Sequence, residues 1–473
     1  MAATATTPAT ATTPATAPTT PADPLADAGP ASVPCPPAPG RTPLLGHVPA
    51  LLRNPLTFFE STRTEDPLVR VGFGPVHLYL ANDPALVHRI QVDTATFERG
   101  RFFEGLAGHF GNPLIASNGE DHRHQRRVVK PAFNRSSVRS YSQDILDEAD
   151  RRFGAWQPGR TVDADEEMSD LVAAVVLRAL LGADLGQETV RDIRSTLFMI
   201  ARRLISRTVF PDALTSLPTP GNRRFQAAME RFRTTVDTLV AGRRATPDQA
   251  ASPDVLDALL RATHPHTGKP YTDEQIRSEL LMMLFAALET TSTSLTWAVF
   301  ETTVRPEVQQ RLHEESSRVL DGQPLGYDKL RELTYTRKVV DETLRLHAPM
   351  LFTRRARTDV VLAGTLVPAG AEIGYSPRAM HRNPGTYDAP HQFDPERTES
   401  ALGKDLPRGA YFPWGTGPHR CVGEHLAETT MVVALATLVG RWQLRIAPGT
   451  RIREVNSSLP HPSSLPLRVT PRL

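Results

Sequence analysis

The chain has 473 residues, 40% hydrophobic and 22% charged, with 54 basic against 52 acidic residues and a formal net charge of +2. That balance excludes a bulk nucleic-acid binder, which carries a clustered basic excess. No apolar run approaches the ~20 residues of a membrane-spanning helix, and two cysteines, Cys35 and Cys421, cannot make a disulfide scaffold, so a reducing cytoplasm is the expected home.

The chain opens on low complexity: TATTPA occurs at 4–9 and again at 10–15, the first charged residue is Asp23 and the first arginine is Arg41. Neither a secretory signal nor a mitochondrial presequence looks like this. Residues 1–36 are predicted to be a disordered Ala/Thr/Pro-rich tail, with Cys35, between Pro34 and Pro36, exposed to solvent within it. LVRVGF (68–73) and VHLYLA (76–81) flank a Gly-Pro pair and predict a β-hairpin. Helical periodicity then predicts helices over 119–130, 137–153, 166–182, 188–206, 222–244, 272–303, 305–320 and 335–347, with a break at PDALTSLPTPGN (211–222). From 349 to 420 prolines, glycines and short β runs such as DVVLAG (359–364) predict irregular chain with small sheets. A last helix, about 423–439, precedes the β-like WQLRIA (442–447). The pattern reads as one mainly α domain over 37–473, with a smaller β-rich part drawn from both ends of the chain.

One of the two cysteines lies in WGTGPHRCVG (414–423), just ahead of that last helix. Glycines permit tight turns and close approach of a flat partner. Nearby positive charge or a metal favours thiolate, and amides at a helix start can point back at the sulfur. A lone cysteine is a poor zinc site, but one thiolate suffices for iron when a porphyrin supplies the other ligands. Taken alone, a structural cysteine is the simpler reading. The run as a whole resembles the haem-binding loop of the cytochrome P-450 family, with Trp414 where the family usually has Phe, and with Gly415, Gly417, Leu426 and Ala427 in their expected places. The family's common Glu three residues after that alanine is Thr430 here.

Three further stretches carry the same resemblance in the same order. GEDHRHQRRVVKPAF (119–133) places His122 and Arg126 four apart on one helix face, and AALETT (286–291) is similar to the oxygen-activating segment, with Glu289 and Thr290 as acid and alcohol and Ala287 for the usual Gly. ETLR (342–345), MHRNP (380–384) and FDPER (393–397) are similar to the family's core network, in which Glu342, Arg345 and Arg397 would pair.

The resemblance implies a cytochrome P-450 fold and a monooxygenase that uses haem b (iron protoporphyrin IX), dioxygen and two electrons. It assigns Cys421 as the axial iron ligand. His122, Arg126, Arg354 and His419 would hold the haem carboxylates, with Arg355 the nearest rival to Arg354, and the loop glycines would clear space for the porphyrin. Glu289 and Thr290 would deliver protons. The chain ends soon after the haem region, so a separate ferredoxin and ferredoxin reductase are expected, meeting a stripe of Arg123, Arg127 and Lys130. Phe102, Phe103, Leu106 and Phe110, with MLF (350–352), suggest a hydrophobic small-molecule substrate of terpenoid size. A macrolide, polyketide or fatty acid remains open as substrate, as does a peroxide-driven peroxygenase or a non-catalytic haem protein. No nucleic acid and no membrane anchor are expected.

Overall fold

A computed structural model describes residues 33–74, 76–182, 186–209, 217, 219–245, 254–320, 325–397, 406–455 and 459–472. The principal helices are α1 (Pro84–Val92), α2 (Arg101–Phe110), α3 (Gly119–Val129), α4 (Arg135–Gly154), α5 (Ala164–Leu181), α6 (Gly186–Val209), α7 (Pro220–Ala245), α8 (Asp273–Thr303), α9 (Pro306–Leu320), α10 (Thr334–Leu346) and α11 (Glu424–Arg441). Side-chain caps open several of them: Asp83 accepts the Leu86 amide, Asn134 that of Ser137 and Asp163 that of Asp165. Sequence periodicity anticipated most of them. It missed α1 and α2, the latter because Gly105 and Gly108 weaken the helical signal.

α8 is the axis of the molecule. Thr272 and Gln275 form a reciprocal capping box, and the 31 residues that follow run about 46 Å at 1.5 Å each. The helix is buried around most of its circumference, against α5, α10 and α11. Several of its buried hydroxyls are satisfied within the helix. Ser292 donates to the Leu288 carbonyl at 2.7 Å, Thr296 to Ser292 at 2.9 Å and Thr303 to Val299 at 2.7 Å. α11, buried on nearly every side, fills the space between α4, α9 and α8.

The β part is a five-stranded sheet in the order β1 (Leu68–Phe73), β2 (Val76–Ala81), β8 (Glu372–Tyr375), β5 (Phe352–Ala356), β3 (Phe97–Glu98). Only the β2–β8 pair is parallel. A three-stranded sheet joins β4 (Thr161–Asp163), β12 (Pro466–Pro471) and β9 (Trp442–Ile446). Two small hairpins pair β6 (Val360–Leu362) with β7 (Thr365–Val367) and β10 (Glu454–Val455) with β11 (His461–Pro462). The DVVLAG stretch is thus a strand followed by a tight turn, where Ala363 and Gly364 take φ of 47° and 77°.

The expected Glu–Arg–Arg network is present and buried. Arg345, fully buried, donates from Nε and Nη2 to Glu342 at 2.7 and 2.8 Å, and further to the carbonyls of His381, Pro390 and Gln392 at 2.7, 2.8 and 3.1 Å. A guanidinium has five N–H donors, so none is left unmade. Arg397 Nε adds a contact to Glu342 at 3.4 Å. Removing one partner of such a buried pair costs about 3–5 kcal/mol, which is why this knot can fix the irregular chain after 380.

One expectation needs correcting. Cys35 is not solvent-exposed: it is half-buried against the core of the β part, its Sγ lies 3.7 Å from the Leu68 carbonyl, and burial pushes its thiol up to about 11. Around it the Val33 amide donates to Gly364, and the Arg70 amide donates to Pro36. The predicted tail therefore ends before Val33, and residues 1–32 lie outside the described residues, as does most of the break at 211–222.

Candidate functional site

The cysteine loop is held by α1. The Gln91 side chain accepts the Thr416 amide at 2.9 Å, and the Cys421 amide donates to the Trp414 carbonyl at 2.8 Å. Gly415 and Gly417 sit at φ of 69° and 68°, the left-handed region that favours glycine. A Cβ on Gly417 would also meet Val92 Cα at 3.0 Å and the Gln91 carbonyl at 3.1 Å. Gly417 is thus explained by the turn and by contact with α1. The Gly423 amide, at the N-cap of α11, hydrogen-bonds the Cys421 sulfur and Arg126 lies near it; both favour thiolate, while burial, the larger effect, pushes the thiol up. Cys421 nonetheless has accessible surface. A group that is desolvated and accessible at once faces an interior cavity. Among the described residues no group of three or more His, Cys, Asp or Glu converges as a metal site.

Above this loop the structure gathers basic side chains from four segments. His122 and Arg126 come from α3, His419 from the cysteine loop, and Arg354 from β5. Arg99, from the turn after β3, was missed in the sequence. The His122 and His419 rings meet edge to face at 4.2 Å. Burial, then Arg99, lowers both histidines, His122 to about 3, with Arg126 and Arg354 adding to the effect. Arg99 is held far below its ordinary value by burial and then by Arg354. Arg99 Nε, His122 Nε2 and His419 Nδ1 are buried without a hydrogen-bond partner. No carboxylate contributes to the shift of Arg99, His122 or His419. Like charges buried together with orphaned donors are costly unless an anion joins them. The donor set therefore fits a ligand bearing carboxylates.

Strand alternation separates Arg354 from its neighbour, since successive side chains point to opposite faces. Arg354 is 5% exposed and turned into the cluster, whereas Arg355 turns outward to Glu104 at 2.8 Å and Glu372 at 3.1 Å. Arg99 carries no local pattern of its own. Its amide is pinned by Asn118 Oδ1 at 2.8 Å, a contact between segments that only folding creates.

On α8 the accessible positions cluster mid-helix at Phe285, Ala286, Ala287, Glu289 and Thr290. Accessible surface in the middle of a central helix again marks an internal cavity. Thr290 donates to the Ala286 carbonyl at 2.7 Å, and the helix continues without a break through Ala287. Glu289 has its carboxyl raised to about 7 by burial alone. α2 supplies buried Phe103, Leu106 and Phe110, with the Phe110 ring 5.7 Å from Phe285, while Phe102 is exposed. Arg123 and Arg127 on α3, and Lys130 just past its end, are all exposed. No helix among the described residues is long and apolar enough to cross a membrane.

Comparison with known proteins agrees with this arrangement. The chain is 37% identical over 431 residues to cyclooctat-9-en-7-ol 5-monooxygenase of Streptomyces melanosporofaciens, covering 91% of this chain and 94% of that one. It is 32% identical to pentalenene oxygenase of Streptomyces avermitilis, covering 91% and 96%. The cytochrome P450DA heme domain superposes with a TM-score of 0.82 at 24% identity, over 93% and 98% of the two chains, which shows the shared fold. The cytochrome P450 family model matches residues 36–467, and with that span and those relatives the chain belongs to the cytochrome P450 family of haem-dependent monooxygenases.

Proposed function

We propose that Cys421 would supply the thiolate ligand of the haem iron and that Arg99, His122, Arg126, Arg354 and His419 would hold the haem carboxylates. The observation that carries this is the cationic cluster with its orphaned buried donors beside the cysteine loop. Haem, when bound, supplies dioxygen activation and the one-electron steps. The chain's own residues supply the rest. Gly423 and Arg126 set the charge at the sulfur. Thr290 and Glu289 face the distal cavity as hydroxyl and acid, and a carboxyl near 7 can both take and release a proton at neutral pH. The apolar face of α2 and the Phe285–Ala287 stretch exclude water and orient the substrate.

For substrate we propose a terpenoid. Two relatives are named for cyclooctat-9-en-7-ol and pentalenene, and the described walls are apolar, with Phe103, Leu106, Phe110 and Phe285 the largest groups. The electron donor is a ferredoxin that docks on Arg123, Arg127 and Lys130.

The decisive experiment is spectroscopic. Cys421→Ala should lose the red-shifted carbon monoxide spectrum of thiolate-bound haem, while Cys35→Ala keeps it; an unchanged spectrum in Cys421→Ala ends the assignment. The same holoprotein titrated with cyclic terpenes, fatty acids and macrolides should show loss of iron-bound water with the terpenes. A response confined to the other two classes refutes the substrate reading.

A further inference from the structure

The cationic cluster has a wall that the family assignment does not account for. Phe103 is 4% exposed, and the Arg99 Cζ lies 4.5 Å from its ring centroid, with the Arg354 Cζ at 6.0 Å. Two buried guanidiniums that repel each other thus lie beside one aromatic ring. A ring face carries negative quadrupole density and attracts desolvated cations. It offers a favourable surface, alongside Tyr375, to the Arg99 side chain, whose Nε has no hydrogen-bond acceptor. Phe102 backs the ring edge to face at 5.4 Å.

Phe103 belongs to α2, and α2 is fastened at both ends. Glu372 accepts the Arg101 amide at 2.9 Å at its start, and Glu104 pairs with Arg355 at 2.8 Å one turn on. At its finish Arg233 of α7 donates to the His109 carbonyl at 3.1 Å. The same helix presents Leu106 and Phe110 to the core beside Phe285. The ring that supports Arg99 and Arg354 therefore rides on the helix that roofs the substrate space.

We propose that Phe103 is a positioning residue for the haem carboxylate clamp: its ring holds Arg99 and Arg354 in place, and through it the α2 roof and the clamp move as one unit. The inference rests on the haem reading above. Its chemistry is a π-face under two cations, so an aliphatic side chain of similar bulk does not replace it.

The test uses the full-length, haem-loaded protein, with circular dichroism first to establish folding. Phe103→Leu removes the ring, Phe103→Tyr keeps it, and Phe110→Leu makes the same change on the same helix away from the arginines. Haem transfer to an excess of an apo-globin acceptor should speed up about tenfold in Phe103→Leu, the order expected for a desolvated cation–π contact. The ferric/ferrous midpoint potential of that variant should fall, because cations that swing away no longer favour the added electron. Phe103→Tyr should restore both readouts, and Phe110→Leu should leave both near wild type. Equal haem loss in Phe103→Leu and Phe110→Leu, or a Phe103→Leu protein that matches wild type, overturns the proposal. If Phe103→Leu fails to fold, Phe103→Met, flexible and of similar volume, takes its place with the same outcomes. A wild-type chain that takes up no haem would instead refute the haem reading itself.

Discussion

Arg99→Leu should change stability in opposite directions with and without haem. Arg99 is 8% exposed, its Nε has no acceptor, and its neighbours Arg354 and Arg126 carry the same sign. Burial and repulsion hold its basicity far below the ordinary value, so in the haem-free protein the charged side chain opposes folding. Leucine at this position removes a buried uncompensated charge, and the haem-free variant should gain roughly 1–3 kcal/mol. In the loaded protein the same side chain donates to a carboxylate, and a hydrogen bond to a charged group is worth about 1.5–3 kcal/mol. Haem affinity should therefore drop by roughly 10- to 150-fold. Urea titrations of the protein with and without haem, alongside haem-transfer kinetics, measure both halves. If Arg99→Leu destabilises the haem-free protein, the clamp is not strained without its anion. If haem transfer is unchanged, Arg99 is not part of the clamp.

Burial raises the Glu289 carboxyl from an ordinary 4.5 to about 7, so as pH climbs between those values the unfolded chain ionises first and the native state loses stability. Glu289→Gln escapes this, and its stability relative to wild type should improve from pH 5 to pH 8 by up to about 3 kcal/mol; a pH-independent difference in urea midpoints refutes the burial argument. Thr290→Val keeps the shape and loses the hydroxyl that now bonds Ala286. Substrate binding and reduction should persist while product per reductant falls and hydrogen peroxide rises; wild-type coupling would leave Thr290 as packing. Arg127→Ala, at an exposed position, should slow reduction by ferredoxin with a weaker ionic-strength dependence and leave haem retention unchanged. An unaltered reduction rate at low salt would remove Arg127 from the docking surface.

Local patterns in the sequence determined the long helices, because apolar periodicity over many turns has one burial solution. They determined the cysteine loop as well, since its glycines and its position before a helix are adjacent in the chain. Glu289 and Thr290 stood out in the AALETT stretch as an acid beside an alcohol, and the structure shows Thr290 and Ser292 bonding back to the preceding turn. Tertiary structure decided what depends on contact between distant segments. Arg354 and Arg355 are equivalent in sequence, and only the pairing of β5 with β8 fixes which of them faces inward. Arg99 gained a role when the turn after β3 was brought beside α3 and the cysteine loop, and no spacing rule links those three. Cys35 looked exposed because prolines flank it, yet the chain there lies along β1 and buries it. Gly417 has part of the same lesson: beyond its left-handed turn, the close approach of α1, more than three hundred residues earlier, leaves no room for a Cβ, because close approach is a property of the packed surface.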